Sequence, residues 1–332
     1  MHIPENYLSP STCAVFYAAM LPTWRIAWKH VKAEVTPERL PLLGIAAAFS
    51  FLSMMFNVPL PGGTTGHAVG GTLVAILLGP WAATLAVSVA LLVQALFFGD
   101  GGLLSYGANA FNMAFVLPWV GFLSYRLLKK YLHGKRSELL AAGLGAYVGI
   151  NAAAFCAAVE FGVQPLLFTD ANGAALYAPY PLSISVPAMM LGHLTLFGLA
   201  EAFFTAFALA YLKTASPALF QTERTAPKFA PLFALLAALA ILSPLGLLAE
   251  GTAWGEWGTD EIAQQDFLGH ALGYVPSGMA HGLSFEALFP DYTAFGLPDT
   301  LGYIVSAVIG AALLVIIFKL LATVWRRPHH SA

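Results

Sequence analysis

Long apolar stretches alternate with short polar ones along almost the whole chain. Most of them approach the ~20 residues that a helix needs to cross a lipid bilayer. The nine apolar runs occupy residues 9–24, 40–58, 67–79, 80–98, 107–125, 138–160, 185–212, 229–249 and 301–324. The third run is short, so we expect it to be tilted or partly buried against its neighbours. The pattern predicts an all-α, polytopic membrane protein.

A polar, proline-punctuated segment near residues 214–228 divides this pattern. Seven runs with short connections precede it, and two runs that enclose a long loop follow it. We predict a seven-helix bundle over residues 1–215, a cytoplasmic linker at 216–228, and an appended two-helix hairpin with a large outer loop over 229–332. No internal repeat is evident, so the sequence does not support an inverted-repeat transporter.

The composition is typical of a protein embedded in a lipid bilayer. The 332 residues are 58% hydrophobic and 10% charged, whereas soluble domains carry roughly 25% charged residues. The formal net charge of −2 gives no reason to expect a nucleic-acid partner. The two cysteines, Cys13 and Cys156, lie within apolar runs, so neither a disulfide framework nor a CxxC metal motif is predicted.

The distribution of Lys and Arg predicts the orientation in the membrane. With nine spans and the N-terminus outside, all 15 basic residues fall on the cytoplasmic side, as the positive-inside rule requires. The stretch 250–300 contains eight acidic residues and no Lys or Arg, which places it outside. Residues 1–8 lack a basic segment, so no cleavable signal peptide is expected. The C-terminus is then cytoplasmic.

The first two residues, taken with one later histidine, form a candidate metal site. The Met1 amine, the His2 peptide nitrogen and the His2 ring nitrogen would close two fused chelate rings, and the His67 imidazole would complete a square of four nitrogens. This geometry suits Ni(II) or Cu(II) better than Zn(II). Met1 should be retained, because His2 is too large for routine removal of the initiator. The alternative is a start codon followed by an ordinary polar residue.

Polar residues on the same predicted side could hydrogen-bond these ligands. Thr64 and Thr65 could engage the far ring nitrogen of His67 and fix its tautomer. Further candidates for such support are Glu5, Asn109, Asn112 and His193. The glycine-rich corner 61–66 is assigned a functional role because it delivers His67, whereas the corner 99–102 is interpreted as a tight outer turn.

Ionisable groups inside the seventh run are costly in lipid and are functional by default. His193 and Glu201 are such groups, and a structural hydrogen bond is at least as good an explanation for both. Ala14 and Ala18 on the first run form a small-xxx-small pattern, which permits close helix approach. That pattern serves either an internal contact or the docking of another membrane subunit.

Two absent motifs narrow the function. The chain contains no GxxxxGK[ST] phosphate loop, so it does not bind ATP in the P-loop manner. It also lacks HExxH, which argues against an intramembrane metalloprotease of that type. The sequence gives no sign of an enzyme.

Three stretches resemble the CbiM/NikM family, the substrate-binding components of nickel and cobalt energy-coupling-factor transporters. They are residues 1–8 (MHIPENYL), residues 61–71 (PGGTTGHAVGG), and FGDGG at 98–102 followed by GANAFNM at 107–113. The resemblance covers about residues 1–215, and the last two runs look like a fused NikN/CbiN-type accessory component. The family usually has Gly where this chain has Asn6, and Asn tolerates the left-handed backbone better than most residues.

The resemblance implies a seven-helix fold with its N-terminus tucked into the core. It implies that Met1, His2 and His67 hold the transported Ni(II) or Co(II), with no catalytic cofactor. It also implies a prokaryotic inner-membrane importer whose ATP is hydrolysed by two ATP-binding cassette subunits, joined through a transmembrane coupling subunit.

Two other functions remain open at this point. One is a secondary transporter of divalent metals driven by protons through Glu160 and Glu201. The other is a structural or sensory membrane scaffold that binds no metal.

Overall fold

The computed structural model describes residues 1–36, 39–60, 64–134, 136–220, 229–249, 251–252, 254–265, 271–294 and 296–325. Within these ranges the regular structure is helical except for one short antiparallel hairpin, in which β1 (Val58–Leu60) pairs with β2 (Thr64–Gly66). The all-α prediction is therefore confirmed, and the hairpin was not predicted.

Helices occur in every predicted apolar run. The α-helices are α1 (Pro10–Glu34), α2 (Leu40–Met54), α3 (Gly71–Leu78), α4 (Pro80–Val93), α5 (Tyr106–Asn109), α6 (Leu117–Tyr131), α7 (Ser137–Gly162), α8 (Gln164–Leu167), α9 (Leu182–Gly192), α10 (Gly198–Ala215), α11 (Ala230–Leu242), α12 (Ser277–Ala280) and α13 (Asp299–Trp325). π-helical turns at Gln94–Phe98, Ala110–Val116 and His193–Phe197 continue α4, join α5 to α6, and join α9 to α10. 3₁₀ turns occupy Pro217–Phe220, Ser243–Leu248 and Pro290–Tyr292.

Six helical segments among the described residues are long and apolar enough to cross a membrane. They are Pro80–Phe98, Tyr106–Tyr131, Ser137–Leu167, Leu182–Ala215, Ala230–Leu248 and Asp299–Thr323. Helix α2 is apolar but has 15 residues, about 22 Å at 1.5 Å per residue. Helix α3 has eight, about 12 Å, against a hydrocarbon core of ~30 Å. The third run is thus a short helix rather than a full crossing.

Helix α7 lies at the centre of the first part and packs against α6, α9 and α10. Small residues permit its close approach to α6. A Cβ on Gly149 would lie 2.6 Å from the Leu117 carbonyl oxygen and 2.9 Å from the Gly121 Cα. Close backbone packing of this kind drives helix association in lipid, where apolar side chains gain little by leaving the solvent.

The appended helices pack directly on this bundle. Helix α13 lies along α2, and the Tyr303 hydroxyl donates a hydrogen bond to the Met55 carbonyl (2.9 Å) at the end of α2. A Cβ on Gly310 would lie 2.2 Å from the Phe51 ring, so α13 approaches α2 closely. The predicted linker falls partly on Pro217–Phe220, and residues 221–228 lie outside the described residues.

The N-terminal segment 1–9 enters the protein interior before α1 begins. Met1, Ile3 and Leu8 are buried. Ser9 then caps the first helix, because its hydroxyl accepts a hydrogen bond from the Thr12 amide (3.1 Å). Pro10 follows at the first helical position, where a missing N–H costs nothing. The start of the chain is therefore a fixed part of the core.

Candidate metal centre

Asn109 lies near the start of the fifth predicted run, and its side chain hydrogen-bonds both the amide and the carbonyl group of Ile3. The Ile3 amide donates to Asn109 Oδ1 (2.7 Å), and Asn109 Nδ2 donates to the Ile3 carbonyl (2.9 Å). The Gly102 amide donates to the same carbonyl (3.0 Å). Because Ile3 directly follows His2, these bonds fix the position and direction of the two residues expected to chelate.

The following residues are tied to the same loop. The Glu5 carboxylate accepts hydrogen bonds from the amides of Leu103 (2.6 Å) and Leu104 (3.0 Å), and the Ser105 hydroxyl donates to the Pro4 carbonyl (2.9 Å). Burial raises the pKa of Glu5, and the two amide donors partly offset this. Glu5 thus anchors the N-terminal segment, and none of its described hydrogen bonds reaches the imidazoles.

His67 follows β2 in a loop that a carboxylate from α10 holds in place. Glu201 is fully buried and accepts hydrogen bonds from the Val69 amide (2.7 Å) and the Gly70 amide (3.0 Å). Gly70 has φ of +72°, a conformation that glycine adopts at little cost, and α3 begins at the next residue. A carboxylate at a helix N-terminus is electrostatically favourable. Glu201 therefore has a structural role in placing His67.

The two imidazoles meet at the nitrogens that a square of four requires. His2 Nδ1 lies 3.0 Å from His67 Nε2, and the ring centroids are 4.8 Å apart. Nδ1 is the nitrogen that lets His2 close a chelate ring through its own peptide nitrogen. With metal–nitrogen bonds of about 2 Å, adjacent corners of a square are about 2.8 Å apart. The observed separation is close to that edge.

The surroundings of His67 favour its neutral form. Its Nδ1 lies 3.2 Å from the Ala68 carbonyl oxygen, which leaves Nε2 facing His2. Burial, helped by the positive charge of the Met1 amine, holds the pKa of His67 well below its usual range. A neutral imidazole is the form that binds metal.

The Met1 amine lies beside a carboxylate from the appended part. Met1 is buried, and its nitrogen is 3.5 Å from Glu256 Oε1. The Tyr7 hydroxyl donates to the Trp257 carbonyl (2.8 Å) in the same loop. The long outer loop after α11 therefore covers the first residues of the chain.

Asp100 is a site residue that the sequence analysis missed. Its Oδ1 lies 3.2 Å from His2 Nδ1, and its Oδ2 accepts hydrogen bonds from the Tyr292 hydroxyl and from Gln94 Nε2 (3.2 Å). The corner 99–102, interpreted as only a turn, thus supplies a carboxylate beside the imidazoles. The sequence contained one signal for this role: Asp100 is a single acidic residue between glycines, at the predicted outer end of a span.

Thr64, Thr65 and Asn112 are the other residues that were predicted to hydrogen-bond the metal ligands. The far nitrogen of His67 meets the Ala68 carbonyl rather than the Thr65 hydroxyl, although Thr65 lines the same cavity as His67. The side chain of Thr64 and the whole of 61–63 lie outside the described residues. Asn112 donates to Glu160 Oε2 (2.9 Å), inside the bundle.

His193 and the Ala14/Ala18 pair are the remaining candidates, and the sequence allows either a structural or a functional role for each. His193 is buried, with Nδ1 2.9 Å from the Met189 carbonyl oxygen and with Nε2 unpaired among the described residues. Ala14 and Ala18 are exposed on α1. Their small-residue face is therefore not used for packing within the described chain.

Comparison with known families divides the chain into two. The sequence profile of the CbiM family, described as a cobalt uptake substrate-specific transmembrane region, matches residues 2–219. The profile of the PDGLE domain matches residues 229–327. The two matches fall on either side of residues 220–228, within the polar segment that separates the predicted parts.

Two similar proteins match this chain over almost its whole length, and a solved structure matches about two thirds of it. The probable fused nickel transport protein LarMN of Lactiplantibacillus plantarum is 51% identical, over 96% of this chain and 97% of its own length. The fused nickel transport protein NikMN of Rhodobacter capsulatus is 50% identical, over 95% of each chain. A crystal structure of a transition metal transporter is 53% identical and superposes with a TM-score of 0.61, over 65% of this chain and 93% of that one.

Proposed function

This chain belongs to the CbiM family, with a PDGLE domain fused after it, and from that premise we propose that it is the substrate-specificity subunit of a nickel or cobalt importer. It captures Ni(II), or Co(II), at the outer face and delivers it across the membrane. The observation that carries the proposal is the 3.0 Å approach of His2 Nδ1 to His67 Nε2, on a segment whose first nitrogen is buried beside them. The fused relatives are named nickel transport proteins.

The proposed site is a square of the Met1 amine, the His2 peptide nitrogen, His2 Nδ1 and His67 Nε2. Square-planar nitrogen ligation favours Ni(II), and Ni(II) also stands above Co(II) in intrinsic affinity for nitrogen ligands. The first three nitrogens belong to two consecutive residues, so their mutual spacing is set by covalent geometry. The bonds that Asn109 makes to Ile3 then position this chelating unit against His67.

Energy for import comes, in this proposal, from separate subunits. The chain has no phosphate-binding loop, so we assign ATP hydrolysis to two ATP-binding cassette subunits joined through a transmembrane coupling subunit. The exposed small residues Ala14 and Ala18 on α1 support a docking face for that coupling subunit, since small residues allow close helix contact in lipid. The orientation by the positive-inside rule puts the metal site outside and the C-terminus in the cytoplasm.

The competing function, proton-coupled secondary transport, required Glu160 and Glu201 as proton carriers. Glu201 already serves as the anchor of the His67 loop through the Val69 and Gly70 amides. This structural use of the carboxylate favours the ATP-driven alternative.

One additional residue before Met1 provides the decisive experiment. The extension converts the amine into an ordinary peptide nitrogen and displaces the new terminus from the chelate. Because Met1 is buried, thermal unfolding of the extended variant is measured as well, to verify that it is folded. Purified protein should show the visible absorption of square-planar nickel, and the extended variant should not. An added residue at the C-terminus is the matched control. Equal nickel affinity in both variants by calorimetry would overturn the proposed site.

The energy source requires its own experiment. In vesicles that contain the chain with its coupling and ATPase subunits, nickel uptake should require ATP. Uptake by the isolated chain driven by a pH gradient alone would instead establish the secondary transporter.

A further inference from the structure

Glu160 is a carboxyl group enclosed in the apolar interior of the helical bundle. It lies on α7, within a segment long and apolar enough to cross a membrane, and it is 5% exposed. Its side chain accepts one hydrogen bond, from Asn112 Nδ2 to Oε2 (2.9 Å). The described part of the chain shows no ion pair to this carboxyl. The titratable groups near it are the thiols of Cys13 and Cys156, which supply no positive charge.

The chemistry of a carboxyl group depends on its charge. An ionised carboxylate without a counter-ion is so costly in an apolar interior that the group tends to become neutral instead. The ionised form can only accept hydrogen bonds, whereas the neutral acid also has one O–H donor. A proton on Glu160 would therefore both remove the charge and supply a donor.

Two enclosed oxygen atoms show where such a donor would be used. Glu160 Oε1 and Asn112 Oδ1 are both buried, and neither has a hydrogen-bond partner among the described residues. They are the free halves of the two groups that the bond from Nδ2 to Oε2 already joins. Two acceptors cannot bond to each other, but a proton on Oε1 allows that oxygen to donate to Oδ1. A carboxylic acid and a primary amide then form two hydrogen bonds, and one proton satisfies both orphaned oxygens.

The side chain of Glu160 is connected through Asn112 to the residue that holds the start of the chain. Asn112 follows Asn109 by three residues, about one turn, along the continuous stretch of α5 and the π-helical turn Ala110–Val116. Both asparagines are buried, and Asn109 makes the two bonds to Ile3. Insertions of this π-helical kind frequently mark functional sites. The bond to Glu160 fixes this stretch to α7.

The backbone of Glu160 is connected to the end of the same N-terminal segment. Gln164, one turn further along, donates from Nε2 to the Glu160 carbonyl oxygen (3.0 Å). Its Oε1 accepts a hydrogen bond from the Ser9 amide (3.0 Å), and Gln164 is itself fully buried. Glu160 therefore lies between the two side-chain amides that hold residues 3 and 9.

We propose that Glu160 is a neutral carboxylic acid paired with Asn112, and that this pair positions the N-terminal segment that carries Met1 and His2. Glu160 is a positioning residue, because it acts through Asn112 and Asn109 and makes no described contact with the metal ligands. Its effect on metal binding rests on the proposed function, whereas its effect on the placement of the segment does not. The two effects are therefore measured separately.

Infrared spectroscopy of the metal-free full chain tests the neutral acid. At about pH 8 ordinary carboxyl groups are ionised, so a protonated one is recognised by its separate C=O stretching band. The detergent must lack ester groups, which absorb in the same region. The difference between the native chain and Glu160→Gln should contain one such band, since every other carboxyl group is common to both. Absence of the band would overturn the neutral pair.

The reactivity of the Met1 amine tests the placement of the segment without metal. Met1 is 4% exposed, so acetic anhydride should acetylate it slowly in the native chain, as followed by mass spectrometry of the N-terminal peptide. Glu160→Met keeps the approximate size and loses both bonds, and should raise this rate about threefold or more. Glu160→Gln should keep the native rate, because its amide can both donate to and accept from Asn112. A Gln variant as reactive as the Met variant would overturn the proposal.

Two further variants separate the pair from general destabilisation. Asn151→Leu removes another buried amide of α7, which bonds to Tyr147 in its own helix, and should leave the rate unchanged. Asn112→Leu should act like Glu160→Met, and the double variant should react no faster than either, because one interaction is lost only once. Additive effects, or an equal rise in Asn151→Leu, would overturn the pair. Thermal unfolding verifies each fold, and if Glu160→Met does not fold, Asn112→Leu and the infrared band decide.

Nickel affinity measured by calorimetry gives the consequence for the proposed function. Glu160→Met should bind Ni(II) about threefold or more weakly than the native chain, and Glu160→Gln should bind it equally well. Native affinity in a Glu160→Met variant whose Met1 amine reacts at the native rate would overturn the positioning role. A native chain that binds no nickel would instead remove the proposed function, while the infrared band and the acetylation rates still decide the pair.

Discussion

Asn6 and Leu283 exchange two hydrogen bonds across the two parts of the chain. Asn6 Nδ2 donates to the Leu283 carbonyl and the Leu283 amide donates to Asn6 Oδ1, both at 2.9 Å. Asn6 has φ of 66°, the left-handed conformation expected for a position where the family usually has Gly. A Cβ on Gly282 would lie 2.1 Å from Asn6 Oδ1. The Asn6 side chain thus joins the N-terminal segment to the outer loop.

Two substitutions at Asn6 distinguish the contribution of its left-handed backbone to stability from that of its side-chain hydrogen bonds. Asn6→Gly keeps the turn and loses both hydrogen bonds, so the unfolding free energy should fall by about 1–3 kcal/mol, the sum of two ordinary bonds. Asn6→Ala loses the same bonds and keeps a Cβ in the left-handed region without the polar side chain that lets Asn tolerate it, which should cost about 1 kcal/mol more. Thermal unfolding in detergent measures both. Equal stability of the Gly variant and the native chain would show that the pair contributes nothing.

Asn109 should control nickel affinity without contacting the metal. Asn109→Ala leaves the buried Ile3 amide unpaired, at a cost of roughly 1–3 kcal/mol, and frees the segment that carries Met1 and His2. Nickel affinity measured by calorimetry should fall about tenfold or more. Asn151→Ala, which removes a buried amide that donates to Tyr147 within α7, is the control. A comparable loss of affinity in both variants would mean that general destabilisation explains the effect.

Glu201 should behave as an anchor for His67 rather than as a proton carrier. In Glu201→Gln, the amide oxygen can occupy the Oε2 position that accepts from both amides, and an NH₂ group then replaces Oε1 and faces the Gly70 N–H. Two donors facing each other in the interior should cost roughly 1–3 kcal/mol and should weaken nickel binding measured by calorimetry. Glu160→Gln, a buried carboxylate that pairs with Asn112, should leave nickel affinity unchanged. Nickel binding that survives Glu201→Gln intact would remove the anchor role.

The burial of His67 predicts an acid dependence of stability. Its folded-state pKa lies below the ordinary value, so the unfolded chain takes up a proton first as the pH falls. The unfolding free energy should therefore decrease once the pH falls below ~6.5, by at most about 1.4 kcal/mol per pH unit. Above that pH the imidazole is neutral in both states and has no effect. Melting temperatures of the metal-free protein between pH 7.5 and 5 measure this slope.

His67→Gln should reduce that slope, because the glutamine amide does not titrate, while the buried imidazole of His193 remains. The control is His281→Gln, which removes an exposed imidazole of the outer loop and should leave the slope as it is. Identical slopes in the native chain and His67→Gln would show that another group determines the acid sensitivity.

Several features of the site could be predicted from local sequence. A free amine, a peptide nitrogen and a ring nitrogen on two adjacent residues are held together by covalent bonds, so their joint chelation needs no knowledge of the fold. The left-handed backbone at Asn6 follows from the properties of that residue. Glu256 could not be assigned, because it lies more than 250 positions from Met1 and only the packing of the outer loop brings the two together.

Tertiary contacts also decided the roles of residues whose types alone were ambiguous. Glu201 could have been a proton carrier or a structural group, and its two bonds to the loop after His67 assign it to structure. Asp100 was interpreted as part of a turn, and its position beside His2 appears only when the turn is folded against the N-terminus. A side chain's type limits what it can bind, and its neighbours select among those possibilities.

The sequence by itself determined that this is an α-helical membrane protein in two parts, because apolar length and the sidedness of basic residues reflect the energetics of each segment in lipid. It also predicted that three nitrogen atoms of the first two residues can chelate a metal together. Only the tertiary structure decided that His2 and His67 meet and that carboxylates from both parts surround them. Contacts between distant segments depend on how helices pack, and packing is a property of the whole chain.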